Sequence, residues 1–335
     1  MTSLLHRPSH WVPLVLMAAL AALPFVAQAI GQPFYIALVA RMLAYAVAAS
    51  ALNLALGYGG MVGFGHALFM GIGSYAVALP AFHGADNGLL HIAITLLACG
   101  LTAFVTGLVS LRTTGIGFIM ITLAFAQMGY YLFVSLKHYG GDDGMTLAAP
   151  SRLGPFTLGS ATAVYAAGFV VLALQTWWMH RLRSAPFGMV LRAARQNPRR
   201  VAAVGFPVLP YRLAAYVISA MLCGLSGVLL ANLNAFASPA TLSWSTSGDL
   251  IVIVVLGGIG TVFGPVLGAI AFLGMEEILK AYTEHWMVVF GPVIVILALV
   301  GRTGLMGALA KLDRAPSQTP ATAKTAATPA VQGGH

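Results

Sequence analysis

The chain has 335 residues, of which 59% are hydrophobic and only 7% are charged. Soluble domains carry about 25% charged residues, so no globular core could bury this much apolar surface, and the composition indicates a polytopic membrane protein. The net charge of +9 fits basic residues gathered on one side of a membrane, and none of the basic-aromatic patches or fold signatures of a nucleic-acid-binding protein accompanies it.

The first apolar run extends from Trp11 to Ile30 and has no charge over a length that spans a bilayer. Ala27, Gln28 and Ala29 resemble a signal-peptidase site, which would make the run a cleaved leader. We expect a retained helix instead, because the run is longer than a typical leader and the next span has to start outside. Residues 1–33 are therefore interpreted as an N-terminal transmembrane helix with its flanks.

The second predicted span covers Phe34 to Leu56, with Arg41 near enough to its start for the side chain to reach the lipid headgroups. A glycine-rich stretch follows from Gly57 to Ala67, and its first nine residues include five glycines. Inside a helix each glycine costs about 1 kcal/mol relative to alanine. The stretch therefore predicts either a break in the helix or very close packing against a neighbour.

Four more spans, separated by polar connections, lead to a strongly basic segment. The third span ends near Leu79, and the next three cover 89–111, 118–136 and 161–179. The longest outer loop, Lys137 to Ser160, contains the sequence GGDDGM. An isolated pair of aspartates lacks the ligand count that calcium needs, so we predict a solvated turn there.

The segment from Arg181 to Arg212, called the arm below, has seven arginines, no lysine and no acid. Such a segment cannot lie in lipid, and the positive-inside rule places it in the cytoplasm. Residues from Phe187 to Val204 favour a helix until Pro198 interrupts them.

Beyond the arm, a span from Leu213 to Asn232 leads to a polar outer connection, Leu233 to Ser247. The apolar run from Asp249 to Gly257 is too short to cross a membrane alone. A second glycine-rich stretch, GGIGTVFGP, then interrupts the chain at Gly257 to Pro265. Two final spans cover 266–282 and 285–300.

These elements predict an all-α polytopic membrane protein with about ten membrane segments and both termini in the cytoplasm. The even count keeps the arm and the basic chain ends on one side, while seven of the eight acids lie elsewhere. Residues 34–305 form the membrane domain in this interpretation. Residues 306–335, rich in Pro, Ala and Thr, form a disordered cytoplasmic tail.

The two glycine-rich stretches can be overlaid, with Gly59 on Gly258, Phe64 on Phe263 and Gly65 on Gly264. Interrupted helices in corresponding halves of a transporter point to the transport path. The candidates for residues that line a path are Gly59, Gly63, Gly65, His66, Gln127, Gly258, Gly260, Gly264 and Pro265. The alternative is that these glycines serve only close helix packing.

Catalytic motifs are absent from the sequence, which has no H-E-x-x-H, no G-x-S-x-G and no pair of intramembrane aspartates. It also lacks G-x-x-x-x-G-K-[ST], so the chain cannot hydrolyse nucleotide by the P-loop route. Cys99 and Cys223 lie in apolar runs and indicate neither a disulfide framework nor a metal site. We predict no enzyme activity, no cofactor and no metal. The lack of a deep acid or lysine pair argues against a proton- or sodium-coupled carrier.

Several segments together resemble one known family. They are FGMVLRAARQNPRRVAAVGF with the following YRLAAYVISAMLCGLSG, the stretch Gly57 to Ala67, the run GFIMITLAFAQ, the loop GGDDGM, and VVLGGIGTVFGPVLGA. In this order they resemble the permease subunits of branched-chain amino-acid ABC importers, the LivM type. The resemblance covers about Phe34 to Leu305 and depends on the combination, since each segment alone is unspecific.

This resemblance implies an import complex in the bacterial inner membrane. Two permease subunits, the second a different chain, would form the path, two cytoplasmic ATPases would drive it, and a periplasmic binding protein would deliver the ligand. Residues 34–305 would be the permease domain, with the arm as its coupling segment. The residues implied to dock the ATPase are Phe187, Gly188, Arg192, Ala193, Arg195, Asn197, Ala202 and Gly205.

The chain departs from the family at one position in the arm. The family commonly has an acid where Gln196 stands here, and Pro198 follows two positions later. The ion pair that this acid would form is therefore missing.

Two other functions fit the same sequence. The same architecture could import urea, amides or other small carboxylates, because selection can reside in the binding protein. A self-sufficient channel or facilitator would instead pass solute without any ATPase.

Overall fold

In a computed structural model of the chain, the described residues are 15–23, 33–300 and 304–307. Most of the expected first span lies outside them, as does the expected tail beyond residue 307. The described helices are α1 (15–23), α2 (Pro33–Asn53), α3 (His66–Phe82), α4 (Gly88–Ser110), α5 (Ile116–Ser135), α6 (Ala161–Ser184), α7 (Pro186–Gln196), α8 (Pro198–Ala203), α9 (Val208–Asn234), α10 (Trp244–Gly257), α11 (Gly264–Tyr282) and α12 (Trp286–Val300).

Short strands occur in the connections. Strand β1 (Met145–Thr146) pairs antiparallel with β4 (Phe236–Ala237), and β2 (Arg152–Leu153) pairs with β3 (Phe156–Thr157). The prediction of a helical protein is thus confirmed, but the strict all-α assignment is wrong in these connections. Backbone groups outside the helices need partners as well, and here part of them pair with one another.

Five helical segments are long and apolar enough to cross a membrane. They are Phe34–Tyr58, Gly88–Ser110, Ile116–Ser135, Ala161–Ser184 and Val208–Asn234. Shorter apolar helices lie at His66–Phe82, Trp244–Gly257 and Trp286–Val295. The described residues therefore form a polytopic membrane protein, while the count of ten segments and the side of the termini stay predictions.

Helix α2 lies at the centre of the bundle and packs against α6, α9, α10 and α11. Its middle, AYAVAASAL, is rich in alanine, and residues 46–49 are almost completely buried. Small side chains let neighbouring helices approach closely, which is the main packing force between helices in lipid. A π-helical turn, Leu54–Tyr58, extends α2 without a gap.

The bundle has two distinct ends. The end that carries β1 to β3 and the start of α6 is called the loop end, and the opposite end, with α7 and α8, is called the arm end. Helices α2 and α10 run toward the arm end, and α3, α9 and α11 run toward the loop end.

The first glycine-rich stretch leaves helical structure between Gly59 and Gly65, as predicted for a break. Its end lies well inside the bundle, because the Phe64 N–H donates to Thr122 Oγ1 at 3.1 Å and the Ser247 hydroxyl donates to the Phe64 carbonyl at 2.8 Å. Thr122 is six residues into α5, about 9 Å from its arm-end start. The segment therefore climbs from the arm end into the bundle before α3 begins.

A second irregular segment, 235–243, enters the bundle from the loop end. The sequence interpretation placed it in an outer connection, but Leu242 is fully buried and a methyl group added to Gly71 would collide with it. Helix α10 consequently starts inside the bundle at Trp244, five residues earlier than predicted. Its polar residues made the segment look like a surface loop, whereas several of them bind one another and nearby carbonyls.

The second glycine-rich stretch is a tight turn between α10 and α11. Methyl groups added to Gly257 or Gly268 would collide with the backbone of the facing helix, so the two helices touch through glycine. The close-packing alternative therefore describes this stretch better than a break deep within a span. Irregular backbone at membrane depth needs protein partners, and in the first stretch Thr122 and Ser247 supply them.

A buried acid pairs with two bases on the membrane helices, contrary to the expectation that no such pair exists. Glu276 is 8% exposed and accepts from Lys280 Nζ at 2.5 Å and from Arg41 Nη2 at 3.4 Å. The sequence did not reveal this because Arg41 and Glu276 are 235 positions apart. Arg41 thus binds a carboxylate of α11 rather than only reaching for headgroups.

Candidate functional site

The arm begins with an amphipathic helix, α7, that lies against the bundle. Its buried residues Gly188, Leu191 and Ala194 recur at helical spacing and form one face. A methyl group added to Gly188 would collide with the Leu182 carbonyl, so α7 folds back closely on the end of α6. The ring of Phe187 stacks on Tyr211 with centroids 5.6 Å apart.

The arm continues into a second, shorter helix. Asn197 caps α8, since its side chain accepts from the Arg200 N–H at 3.1 Å, and Pro198 occupies the first turn. Pro198 therefore starts a helix as well as ending one. Asn197 was implied to dock an ATPase, and the structure gives it this capping contact.

Three arginines of the arm segment bind carbonyls within the protein. Arg192 donates to the Arg183 carbonyl at 2.7 Å, Arg212 donates to the Ala194 carbonyl at 3.0 Å, and Arg195 donates to the Gly57 carbonyl. The other four arginines of the arm are exposed. They are Arg181, Arg183, Arg199 and Arg200. The guanidinium groups of the arm thus divide into an inward set and an outward set.

The two glycine-rich stretches meet beside α7. The Asn53 side chain, at the end of α2, accepts from the Gly260 N–H at 2.8 Å and donates to the Thr261 carbonyl at 2.7 Å. A methyl group added to Gly57 would lie 2.8 Å from the Gly260 nitrogen. Neither stretch could move far here without the other.

A cavity of about 360 Å³ separates this junction from the arm. It is lined by Gly57, Tyr58, Arg192, Arg195, Gln196, Ile259 and Gly260. The cavity opens at the arm end, where backbone from both glycine-rich stretches faces two guanidinium groups. We call this arrangement of α7, cavity and stretches the junction.

His66 is a buried core residue in this conformation, with 1% exposure. Its Nε2 lies 2.8 Å from Ser219 Oγ, and the Ser219 hydroxyl donates to the Ala51 carbonyl at 2.6 Å. The ring also meets Phe69 and Tyr216 edge-on. His66 therefore links α2, α3 and α9, and its assignment to a path stays a prediction.

The other path candidates fall in three places. Gly57's neighbour Gly59, together with Gly258 and Gly260, lies at or next to the junction. Gly63 and Gly65 lie in the climbing segment against α5, and Gly264 and Pro265 start α11. Gln127 lies apart from these residues, half-buried on α5 beyond Thr122.

The implied docking residues also divide. Ala193, Ala202 and Gly205 are exposed on the arm, whereas Gly188 is buried and Arg192 and Arg195 turn inward. Exposed apolar side chains accompany the outward arginines, and they are Met189, Val204, Phe206 and Leu209. Sequence reasoning missed Asn53 as a junction residue, because its role depends on contacts more than 200 positions away.

Comparison with known proteins gives one family. Residues 32–299 match the model described as branched-chain amino acid transport system, permease component. The high-affinity branched-chain amino acid transport system permease protein LivM of Escherichia coli K12 is 24% identical over 286 residues, covering 78% of this chain and 67% of the relative.

Two further relatives are similar in extent. A probable LivM of Methanocaldococcus jannaschii is 26% identical over 278 residues, covering 71% of this chain and 79% of the relative. The permease protein LivH of Escherichia coli K12 is 27% identical over 290 residues, covering 78% of this chain and 91% of the relative. No solved structure gives a significant match.

Proposed function

Because the chain belongs to the family of branched-chain amino acid transport system permease components, we propose that it forms the membrane path of an ATP-binding-cassette importer. The proposed cargo is a branched-chain or related amino acid, as the names of the relatives indicate for those proteins. The observation that carries the proposal is the family match over 32–299, which includes the bundle from α3 to α11 and the whole arm.

In this proposal the arm end faces the cytoplasm of a bacterial cell. Seven arginines without an acid in the arm segment agree with the positive-inside rule. The loop end then faces the periplasm, where a substrate-binding protein would release its ligand. Ten segments with both termini cytoplasmic complete the proposed topology.

The arm is the proposed docking element for a separate ATPase, since the chain has no P-loop of its own. Protein interfaces are enriched in arginine, methionine and aromatic residues, and the exposed face of the arm offers Arg199, Arg200, Met189 and Phe206. Arginine pairs bidentately with carboxylates of a partner. The outward set therefore replaces Arg192 and Arg195 as the proposed charged contacts.

A second permease subunit is the remaining proposed membrane partner. Relatives of this chain include both LivM and LivH proteins, which are two named permeases of the same transport system in Escherichia coli. A pairing of two related, different chains around one path follows from this by analogy.

The proposal is tested by purification from native membranes and reconstitution. The complex that co-purifies should contain an ATPase and a second permease, and proteoliposomes should accumulate labelled leucine only with ATP inside and binding protein outside. Urea and short amides serve as competing cargo. Flux of leucine down its gradient without ATP or ATPase would contradict the proposal in favour of a self-sufficient facilitator.

A further inference from the structure

We propose that Arg195 is a positioning residue that ties the arm to both glycine-rich stretches, so that α7 and the junction move as one body. The inference rests on the proposed function, because it assigns the route by which work from an ATPase reaches the path. It also removes Arg195 from the ATPase-docking set implied by resemblance.

The first step is the bond between Arg195 and the Gly57 carbonyl. Gly57 lies in the last turn of the helical rod formed by α2 and its π-helical extension, where carbonyl groups lack partners along the helix. The Arg195 guanidinium donates to this carbonyl across the junction. A cation is also favoured at a helix C-terminus by the helix dipole.

The second step is the fit of the Arg195 stem against Gly60. Gly60 has φ +68°, a left-handed conformation that favours glycine, and a methyl group added there would lie 2.8 Å from Arg195 Cγ. The chain at Gly60 therefore passes directly over the side chain of Arg195. Displacing this side chain would push on the start of the climbing segment.

The third step carries the contact to the second stretch. A methyl group on Gly260 would lie 3.5 Å from Arg195 Nη1, and Asn53 binds both Gly260 and Thr261. Through Gly57 and Asn53, the end of α2 thus joins Arg195 to the turn before α11. Both stretches share one anchor.

The fourth step concerns the arm itself. Leu191 and Ala194 are buried, and Arg212 of α9 donates to the Ala194 carbonyl, so the last turn of α7 is held from behind. The cavity of about 360 Å³ leaves few direct contacts between α7 and the stretches. Arg195 crosses this gap, which makes it the transmitting contact and leaves room for movement.

The test uses the reconstituted complex of permeases, ATPase and binding protein. We measure the ATPase retained per permease, the rate of ATP hydrolysis and the leucine transported per ATP. Arg195→Ala should retain the ATPase and hydrolyse ATP within about twofold of the wild type, while transport per ATP falls about tenfold, the factor expected for one hydrogen bond to a charged group. Arg195→Lys should recover part of the coupling, because an ammonium group can still donate to the Gly57 carbonyl.

A contrasting variant on the same arm is Arg199→Ala. Arg199 is exposed on α8, so its loss should lower ATPase retention while leaving transport per retained ATPase and ATP unchanged. A purely structural role for Arg195 would predict equal losses for the Lys and Ala variants, together with a lower Tm.

An independent variant pair avoids Arg195 altogether. Gly60→Ala should lower transport per ATP as Arg195→Ala does, since its methyl group presses on the Arg195 stem. Gly84→Ala is the matched control, because Gly84 has φ +81° but no atom within 4 Å of an added methyl group. Backbone strain alone would then affect both variants equally.

Two results overturn the inference alone, namely loss of ATPase from Arg195→Ala complexes or unchanged transport per ATP in both Arg195→Ala and Gly60→Ala. A wild-type complex without ATPase or ATP-driven uptake overturns the proposed function and this inference with it.

Discussion

At Glu276, one carboxylate serves two cations that belong to different helices. Lys280 is one turn further along α11, and Arg41 comes from α2. Each cation also lies over an aromatic ring, Lys280 over Trp286 at 4.8 Å and Arg41 over Tyr45 at 5.8 Å. A charge within membrane helices is costly unless it is paired, so this group joins α2, α11 and α12 near the loop end.

Replacing Glu276 tests that role at the level of one residue. Glu276→Gln keeps the shape but removes the charge, leaving two cations close together without their acceptor. We expect a loss of roughly 1.5–3 kcal/mol in stability, the range for hydrogen bonds to charged groups. Thermal unfolding in detergent measures it, and Glu277→Gln, the neighbouring half-buried acid, is the control. Equal Tm values for the two variants would contradict the role.

Which arginines of the arm turn inward could not be predicted from their spacing. Arg192 and Arg195 on one side and Arg199 and Arg200 on the other lie in a single basic run. The burial of Leu191 and Ala194 fixes which face of α7 meets the bundle, and only then are the arginine directions determined. The amphipathic helix itself was predictable, because its apolar residues recur at helical spacing.

At the scale of elements, the contact between α10 and α11 depends on glycine. The missing side chains of Gly257 and Gly268 let the two helix backbones touch. Interfaces of small residues are the usual way in which membrane helices pack without a hydrophobic driving force. The pairing positions Gly258 and Gly260 in the junction, so helix packing supports the candidate site.

A matched pair of substitutions on α11 tests this contact. Gly268→Ala places a methyl group against the Ile253 carbonyl, and we expect overpacking to cost about 1–3 kcal/mol. Gly274→Ala is the control, since its methyl group would meet only the end of Met42 at 3.7 Å and should gain helix propensity. The measurement is Tm in detergent. Similar Tm changes in both variants would rule out close packing as the reason for Gly268.

Helix positions were predictable to within a few residues where the apolar run was long, as in α4 and α5. The descent of 235–243 into the bundle was not, because its prolines, serines and threonines have the composition of a surface loop. Its depth follows from tertiary contacts such as Leu242 against Gly71. Local composition carries no information about such contacts.

At the scale of the whole molecule, α2 connects the features described above. Arg41 near its start binds the α11 carboxylate at the loop end, and Asn53 and Gly57 near its other end hold the junction. Its middle is buried by α6 and α9. The loop end and the arm end are therefore joined by one central helix, and a shift of the junction would be felt along it.

The proposed orientation of the whole molecule predicts which residues are reachable from outside an intact cell. Phe156 is 74% exposed at the loop end and Val204 is 75% exposed on the arm, while the native Cys99 and Cys223 are fully buried and should not react. A membrane-impermeant maleimide should label Phe156→Cys in intact cells and Val204→Cys only after permeabilisation. Epitope tags before Met1 and after His335 should likewise become accessible only after permeabilisation, because an even number of segments returns the chain to the arm side. Labelling of Val204→Cys from outside would reverse the orientation, and one exposed tag would make the segment count odd.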